Sequence, residues 1–153
     1  MALVLLAVLA VAAYWPVFGF PFISDDFGQI ALSRVYGPVS GWPQLAHDPG
    51  FRLRFTYVEL SFVLDRLFGF HPLPFYAASV VLHAVCAWLV YALGSWRLAG
   101  WRLAFPAAAF FAVYDGHQEA VMWAAASMEL LLFLFGVGAF LAWLRWLDGG
   151  GPG

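Results

Sequence analysis

Apolar residues dominate four stretches of the chain, at 2–20, 75–96, 98–114 and 120–147, and polar positions collect between them. A helix needs about 20 mainly apolar residues to cross a bilayer, so each stretch is read as a membrane-spanning helix. The second is the clearest, its interior polar side chains including Ser79, His83, Cys86, Tyr91 and Ser95 beside its aliphatic and aromatic residues. The third is short and carries Pro106, whereas the fourth is long enough to span with tilt and is expected to bury Glu129. The first is interrupted only by Pro16 and Gly19; it lacks the basic start of a cleaved secretory signal and is read as a retained anchor. Tyr14 and Trp15, Trp96 and Trp101, and Trp143 and Trp146 fall near the span ends, where amphipathic rings favour the headgroup layer.

Between the first two spans lies a long loop, 21–74, and loops of that length are usually functional or structured in their own right. Ser24 is placed to cap a short helix beginning Asp25-Asp26-Phe27, which Gly37-Pro38 then breaks. Pro43 and Asp48-Pro49-Gly50 mark turns. From about Leu53 to Phe68 the pattern is helical, with Arg52, Thr56, Glu59 and Arg66 in one polar sector, as in a helix lying in the interface plane. Asp65 falls outside that stripe and is expected to face a protein neighbour. The expected fold is thus all-α and integral to the membrane, with four transmembrane helices and a long first extracytoplasmic loop carrying short interfacial helices. The Gly149–Gly153 end reads as a flexible tail.

Composition supports the membrane reading. Of 153 residues, 64% are hydrophobic and 10% charged, where a soluble domain carries about 25% charged residues. The basic residues are all Arg, and the net charge of −2 offers no patch for nucleic acid. Arg34, Arg52, Arg54 and Arg66 lie on one side of the first span, and Arg97, Arg102 and Arg145 on the other. The tight Arg97/Arg102 turn is the denser signal, so that turn and the N-terminus are placed in the cytoplasm and the long loop outside. The lone Cys86 allows no internal disulfide.

Four groups of polar residues stand out against this background. Asp25 and Asp26 follow the first span, so one of two adjacent carboxylates is expected to titrate high and serve as a proton acceptor; a solvated helix start is the plainer reading. Arg52 and Arg54 precede the interfacial helix, where guanidinium forks clamp phosphates or simply snorkel. The turn Asp115-Gly116-His117-Gln118-Glu119 packs ionisable groups between two spans, on the rim that also carries Asp25. His83 and Glu129 lie inside spans, and an interhelical hydrogen bond is the common fate of a single His there. Counted along its helix, His83 sits about two turns in, roughly 12 Å from His71 and His117 at the rim. Paired haem ligation is therefore not expected, and no ligand spacing points to zinc.

Read together, these segments resemble a family. The apolar first span with Phe22-Ile23-Ser24-Asp25-Asp26-Phe27, the run from Phe51-Arg52 to Ser61-Phe62-Val63-Leu64-Asp65-Arg66-Leu67-Phe68-Gly69-Phe70-His71-Pro72, Val81-Leu82-His83-Ala84, and Phe111-Ala112-Val113 with His117-Gln118-Glu119-Ala120-Val121 and Trp123 are similar, in order, to the GT-C membrane glycosyltransferases. The wording is closest to the protein O-mannosyltransferase superfamily, in particular the tetratricopeptide-linked transmembrane O-mannosyltransferases and their bacterial relatives. The resemblance implies inverting transfer of a hexosyl or mannosyl unit from a polyprenyl-phosphate sugar to an acceptor hydroxyl, on a protein or glycan, at the extracytoplasmic face of a bacterial cell membrane. It implies Asp25 or Asp26 as base, Arg52, Arg54 and His117 as donors to the lipid phosphate, and Glu119 as an orienting acid; no cofactor is expected, and a divalent metal is not required. The chain departs from the family at Arg52-Leu53 and Arg54-Phe55, where relatives have Arg-Pro, at Tyr114-Asp115 in place of His-Pro, and at Ser127 in place of Arg. Relatives also have about seven shared spans, so 1–148 is read as a partial module, the N-terminal portion of a longer enzyme. Two other classes compete: a small structural four-helix membrane protein without catalysis, and a proton or ion path through Glu129 and His83.

Overall fold

The computed structural model describes residues 1–96 and 100–149. Arg97, the start of the third apolar stretch at Leu98 and the tail from Gly150 lie outside the described residues. The uniformly apolar segment Ala2–Tyr14 forms α1, which Pro16 converts into a tight 3-10 turn over Trp15–Gly19. Next come α2 (Asp26–Tyr36), α3 (Trp42–His47) and α4 (Phe55–Phe68). The second half runs α5 (Pro72–Ser95), α6 (Trp101–Val113), a 3-10 turn at Asp115–His117, α7 (Gln118–Met122), a 3-10 turn at Ala124–Ser127, and α8 (Met128–Asp148). Pro72 opens α5, where a missing N–H costs nothing. The described residues contain no strand.

Among the described residues, three helical segments are long and apolar enough to cross a membrane: Ala2–Gly19, Pro72–Ser95 and Ala124–Asp148. Their outward faces stay apolar, with Val4, Val81 and Leu132 more than half exposed, as lipid rather than water requires. Of the four expected spans, α6 falls short. Its 13 residues rise about 20 Å, against a hydrocarbon core of about 30 Å. It nevertheless packs against both α1 and α5, and Ala10, Ala87 and Ala112 are wholly buried where small residues let backbones approach.

The fourth stretch is not one helix. At Trp123 the backbone turns extended (φ −126°, ψ 113°), separating α7 from the segment that becomes α8. The Ala125 N–H, which a continuous helix would have bonded internally, instead donates to Asp26 Oδ1 at 2.7 Å. Glu129 therefore lies in the first turn of α8 and is exposed, not buried, in the place where the helix dipole favours an acid.

Because α5 returns from the end that α1 reached, and α8 starts after α6 comes back, segments 20–71 and 114–127 gather at one end of the bundle. Tyr14 Oη donates to the Tyr114 carbonyl at 2.7 Å and Tyr76 Oη to the Pro21 carbonyl at 2.9 Å, tying them to the helices. The loop is a packed cap. Asp65 points at a protein neighbour as its position off the stripe requires, taking both Arg34 Nε (2.8 Å) and Nη2 (2.7 Å). Tyr57, Val58, Ser61 and Asp65 form the buried stripe of α4, and Tyr57 and Val58 join Leu45 of α3 and Leu131 of α8 in a core of their own. Asp48 accepts the N–H groups of Gly50 and Phe51, fixing the turn that Asp48-Pro49-Gly50 announced.

Candidate functional site: a pinned carboxylate turn and a cationic groove

Ser24 does not cap α2. The turn of residues 23–26 closes on itself instead: Asp26 N–H donates to the Ile23 carbonyl at 3.0 Å, and Ile23 N–H donates to Asp26 Oδ2 at 2.9 Å. This clamp holds Ser24 at φ +44°, in the left-handed region that non-glycine residues enter only when their surroundings impose it. Ser24 Oγ then donates to Asp25 Oδ1 at 3.2 Å.

The two carboxylates thus have opposite fates. Asp26 is fully enclosed, and with Oδ1 bound to Ala125 it rivets the turn to the far segment at 123–127. Burial, first of all, raises its pKa; the N–H groups of Ile23 and Ala125 oppose this, and the charge of Asp25 adds the smallest push. The high-titrating member expected of the pair is therefore Asp26, through enclosure more than through its neighbour. Asp25 is exposed at the tip of the turn. Asp25 is therefore the solvent-accessible carboxylate of the pair.

Arg54 stands just before α4 with its guanidinium over the Phe51 ring, 5.3 Å from the centroid, and Arg52 is exposed beside it. Neither forms an ion pair among the described residues. Arg54 lines a cavity of about 210 Å³ together with Leu53, Thr56 and Tyr57 from the cap and Met128, Leu132 and Phe135 from α8. Its floor is Tyr57, whose phenol is pushed up to about 12, by burial foremost and also by the Asp26 charge, with Ser61 and Arg54 acting the other way. The Tyr57 hydroxyl therefore remains a neutral hydrogen-bonding group that feels both Asp26 and Arg54. The outer wall is greasy: Leu132 and Phe135 are 76% and 55% exposed on the lipid-facing side of α8. Their place before the interfacial helix marks the two arginines in the sequence, but nothing marks Tyr57, which looks like any apolar position of α4, nor the α8 wall, whose contribution depends on the break at Trp123.

The turn at 115–119 sits at the same end but is divided. Glu119 is exposed on α7. His117 turns inward: its Nδ1 lies 3.2 Å from the Phe111 carbonyl oxygen, and its ring packs on Phe111 and against His83 at centroid distances of 4.3 and 5.3 Å. The expected separation of His83 from His117 is thereby corrected, since the turn folds down onto α5 instead of standing at the rim. His83 makes the interhelical bond expected of it, with Nε2 3.1 Å from the Ala112 carbonyl oxygen. Among the described residues no hydrogen bond or ion pair joins Asp25 to His117, Arg52 or Arg54. His71 is exposed and outside the cluster.

Neither a protein family, nor a curated protein, nor a solved structure matches the chain.

Proposed function

We propose that the chain is the N-terminal part of a membrane glycosyltransferase that takes its sugar from a polyprenyl-phosphate carrier. The observation that carries this reading is the exposed Asp25 carboxylate, presented at the tip of a strained turn that Asp26 rivets in place. In this reading α6 completes a fourth crossing, the N-terminus faces the cytoplasm of a bacterial cell, and the capped end of the bundle faces outward. The groove of Arg54, Tyr57 and α8 receives the carrier: the phosphate meets the guanidinium, and the prenyl chain runs along Leu132 and Phe135 in the lipid. A cavity of about 210 Å³ suits a phosphate and the first part of such a chain, leaving the sugar outside it.

Transfer is a single displacement. Asp25 takes the proton of the acceptor hydroxyl as the new bond to the anomeric carbon forms, and the carbon–oxygen bond to phosphate breaks on the opposite face. The departing lipid phosphate keeps the bonding electrons, and Arg54 and Arg52 stabilise its growing charge. Inversion follows from one displacement, and no metal takes part. Glu119, exposed on the same rim, is available to orient the acceptor. Near this turn, Gln29 Oε1, one turn along α2 from Asp26, and Trp123 Nε1, two residues before Ala125, are buried with no hydrogen-bond partner among the described residues.

The test is transfer from a labelled polyprenyl-phosphate sugar in membranes carrying the chain within its full reading frame. Asp25→Asn lowers the rate by about a hundredfold or more, the usual scale for a lost general base, while leaving the fold unchanged. Transfer undiminished by Asp25→Asn refutes the reading and leaves the structural alternative, which the packing roles of Asp26 and His117 favour.

A further inference from the structure

The end of the bundle away from the cap carries a cationic groove of its own. There the first turns of α1, the last turns of α5 and the start of α6 form a cavity of about 450 Å³, about twice the volume of the Arg54 groove, lined by Leu5, Tyr91, Trp101, Arg102, Phe105 and Pro106 among others. Gly94 and Ala104 bring α5 and α6 together so closely that a Cβ added at Gly94 would stand 3.0 Å from that of Ala104. Beside this contact the bulkier Tyr91 and Phe105 meet edge to face, with centroids 6.5 Å apart, and build a wall of the slot. Leu5 supplies the α1 side and is 46% exposed, so apolar surface is left open to an apolar occupant. Pro106 has no N–H to donate to the Arg102 carbonyl, so Arg102 carries both a guanidinium and a carbonyl without its helical donor.

The cation is what gives the slot a preference. The Arg102 guanidinium lies 5.7 Å from the centroid of the Trp101 ring and enters no ion pair among the described residues. Trp101 is 68% exposed, and an indole so placed at the end of a membrane helix favours the headgroup layer. A positive charge at headgroup depth over an apolar slot matches an amphiphile with a negative head, its phosphate at the guanidinium and its acyl chain along Leu5, Phe105 and Pro106. A second copy of this chain does not match the charge. Of its nine acids only Asp148 belongs to this end of the bundle, and Asp148 already has a partner. A zwitterionic phospholipid offers the same phosphate but adds an ammonium group that Arg102 repels.

We propose that the slot between α1, α5 and the start of α6 binds one anionic phospholipid, with Arg102 on its phosphate. The site lies at the opposite end of the bundle from the carrier groove and does not depend on the glycosyltransferase reading. The full chain is placed in nanodiscs of phosphatidylglycerol and phosphatidylcholine in equal amounts, and native mass spectrometry identifies the lipids that stay with it. One phosphatidylglycerol is retained, in preference to phosphatidylcholine by about fivefold or more, the scale of one Arg at an anionic membrane surface. Arg102→Gln abolishes the preference and Arg102→Lys keeps it, whereas Arg145→Gln, at the same end but outside the slot, leaves it unchanged. On the native chain, phosphatidylglycerol with a photoactivatable diazirine in its acyl chain labels α1 near Leu5 and α6 near Phe105, which decides the matter if Arg102→Gln does not fold. Equal retention of the two lipids by the native chain, a preference that survives Arg102→Gln or is lost equally in Arg145→Gln, or labelling that spares both Leu5 and Phe105 overturns the proposal.

Discussion

Asp26→Asn isolates the rivet between the cap and the turn at 123–127. The carboxylate accepts Ile23 N–H at 2.9 Å and Ala125 N–H at 2.7 Å, one on each oxygen. An asparagine keeps one acceptor and replaces the other with an NH₂ group, so either orientation leaves one N–H facing a donor. A buried donor left unsatisfied costs about 1–3 kcal/mol. Part of this is recovered, because the amide carries no charge to bury, and burial is the chief reason that the Asp26 pKa is raised. The net loss is placed at about 1–2 kcal/mol, equivalent to about 5- to 30-fold in a local opening equilibrium. Hydrogen exchange read by mass spectrometry is the assay, with the peptide containing Ala125 exchanging faster by that factor while the middle of α5 stays protected. The pH dependence has a definite sign. A carboxylate with a raised folded pKa contributes fully below its ordinary value of 3.8 and loses that contribution as pH rises through the raised value, whereas Asp26→Asn is flat over the same interval. Unchanged exchange at Ala125, or equal acceleration by Asp25→Asn, refutes the division of labour between the two carboxylates.

The Asp65 carboxyl is held below its ordinary 3.8, first by its hydrogen bonds from Arg34, so its contribution is present above 3.8 and lost as pH falls through the lowered value. Thermal unfolding of Asp65→Asn therefore loses the acid-side decline that the native chain shows, opposite in sign to the effect at Asp26. Gly41→Ala drives a methyl group into the Val35 carbonyl and the Tyr36 backbone, and costs about 1–3 kcal/mol by the scale of overpacked sites. Its melting temperature falls accordingly, whereas Gly28→Ala, which meets nothing within 4 Å, is tolerated at that position.

What the sequence disclosed depended on whether a residue's fate was local. Hydropathy found α1, α5 and α8 because lipid contact is written into every outward position. Asp65 was legible because a single acid off a helix's polar stripe needs a partner, although only the fold could name Arg34, 31 residues away. The break at Trp123 was not legible. Ala120 to Leu147 is apolar throughout except for Ser127, Glu129 and Arg145, and no Gly or Pro marks the bend, since the group that stabilises it is Asp26, about 99 residues distant. The split of Asp25 from Asp26 was hidden for the same reason: adjacent carboxylates look equivalent until a remote N–H selects one.

The histidines show how a depth argument fails. Counting 1.5 Å per residue from the start of α5 places His83 well inside the bundle, and that is where it lies, fully enclosed. His117 differs, because membership of a connecting turn predicts a place at the rim. A connection between two helices need not stay outside. Here the small residues Ala108 and Ala112 of α6 are wholly buried, and the 3-10 turn that follows folds back so that His117 reaches the carbonyl of Phe111. The Tyr14 hydroxyl, bonded to the Tyr114 carbonyl, closes the same turn from α1. Three elements thus converge on two imidazoles, and each ring N–H is satisfied by main chain. His83 Nδ1 nevertheless stays buried with no partner among the described residues, a cost of about 1–3 kcal/mol.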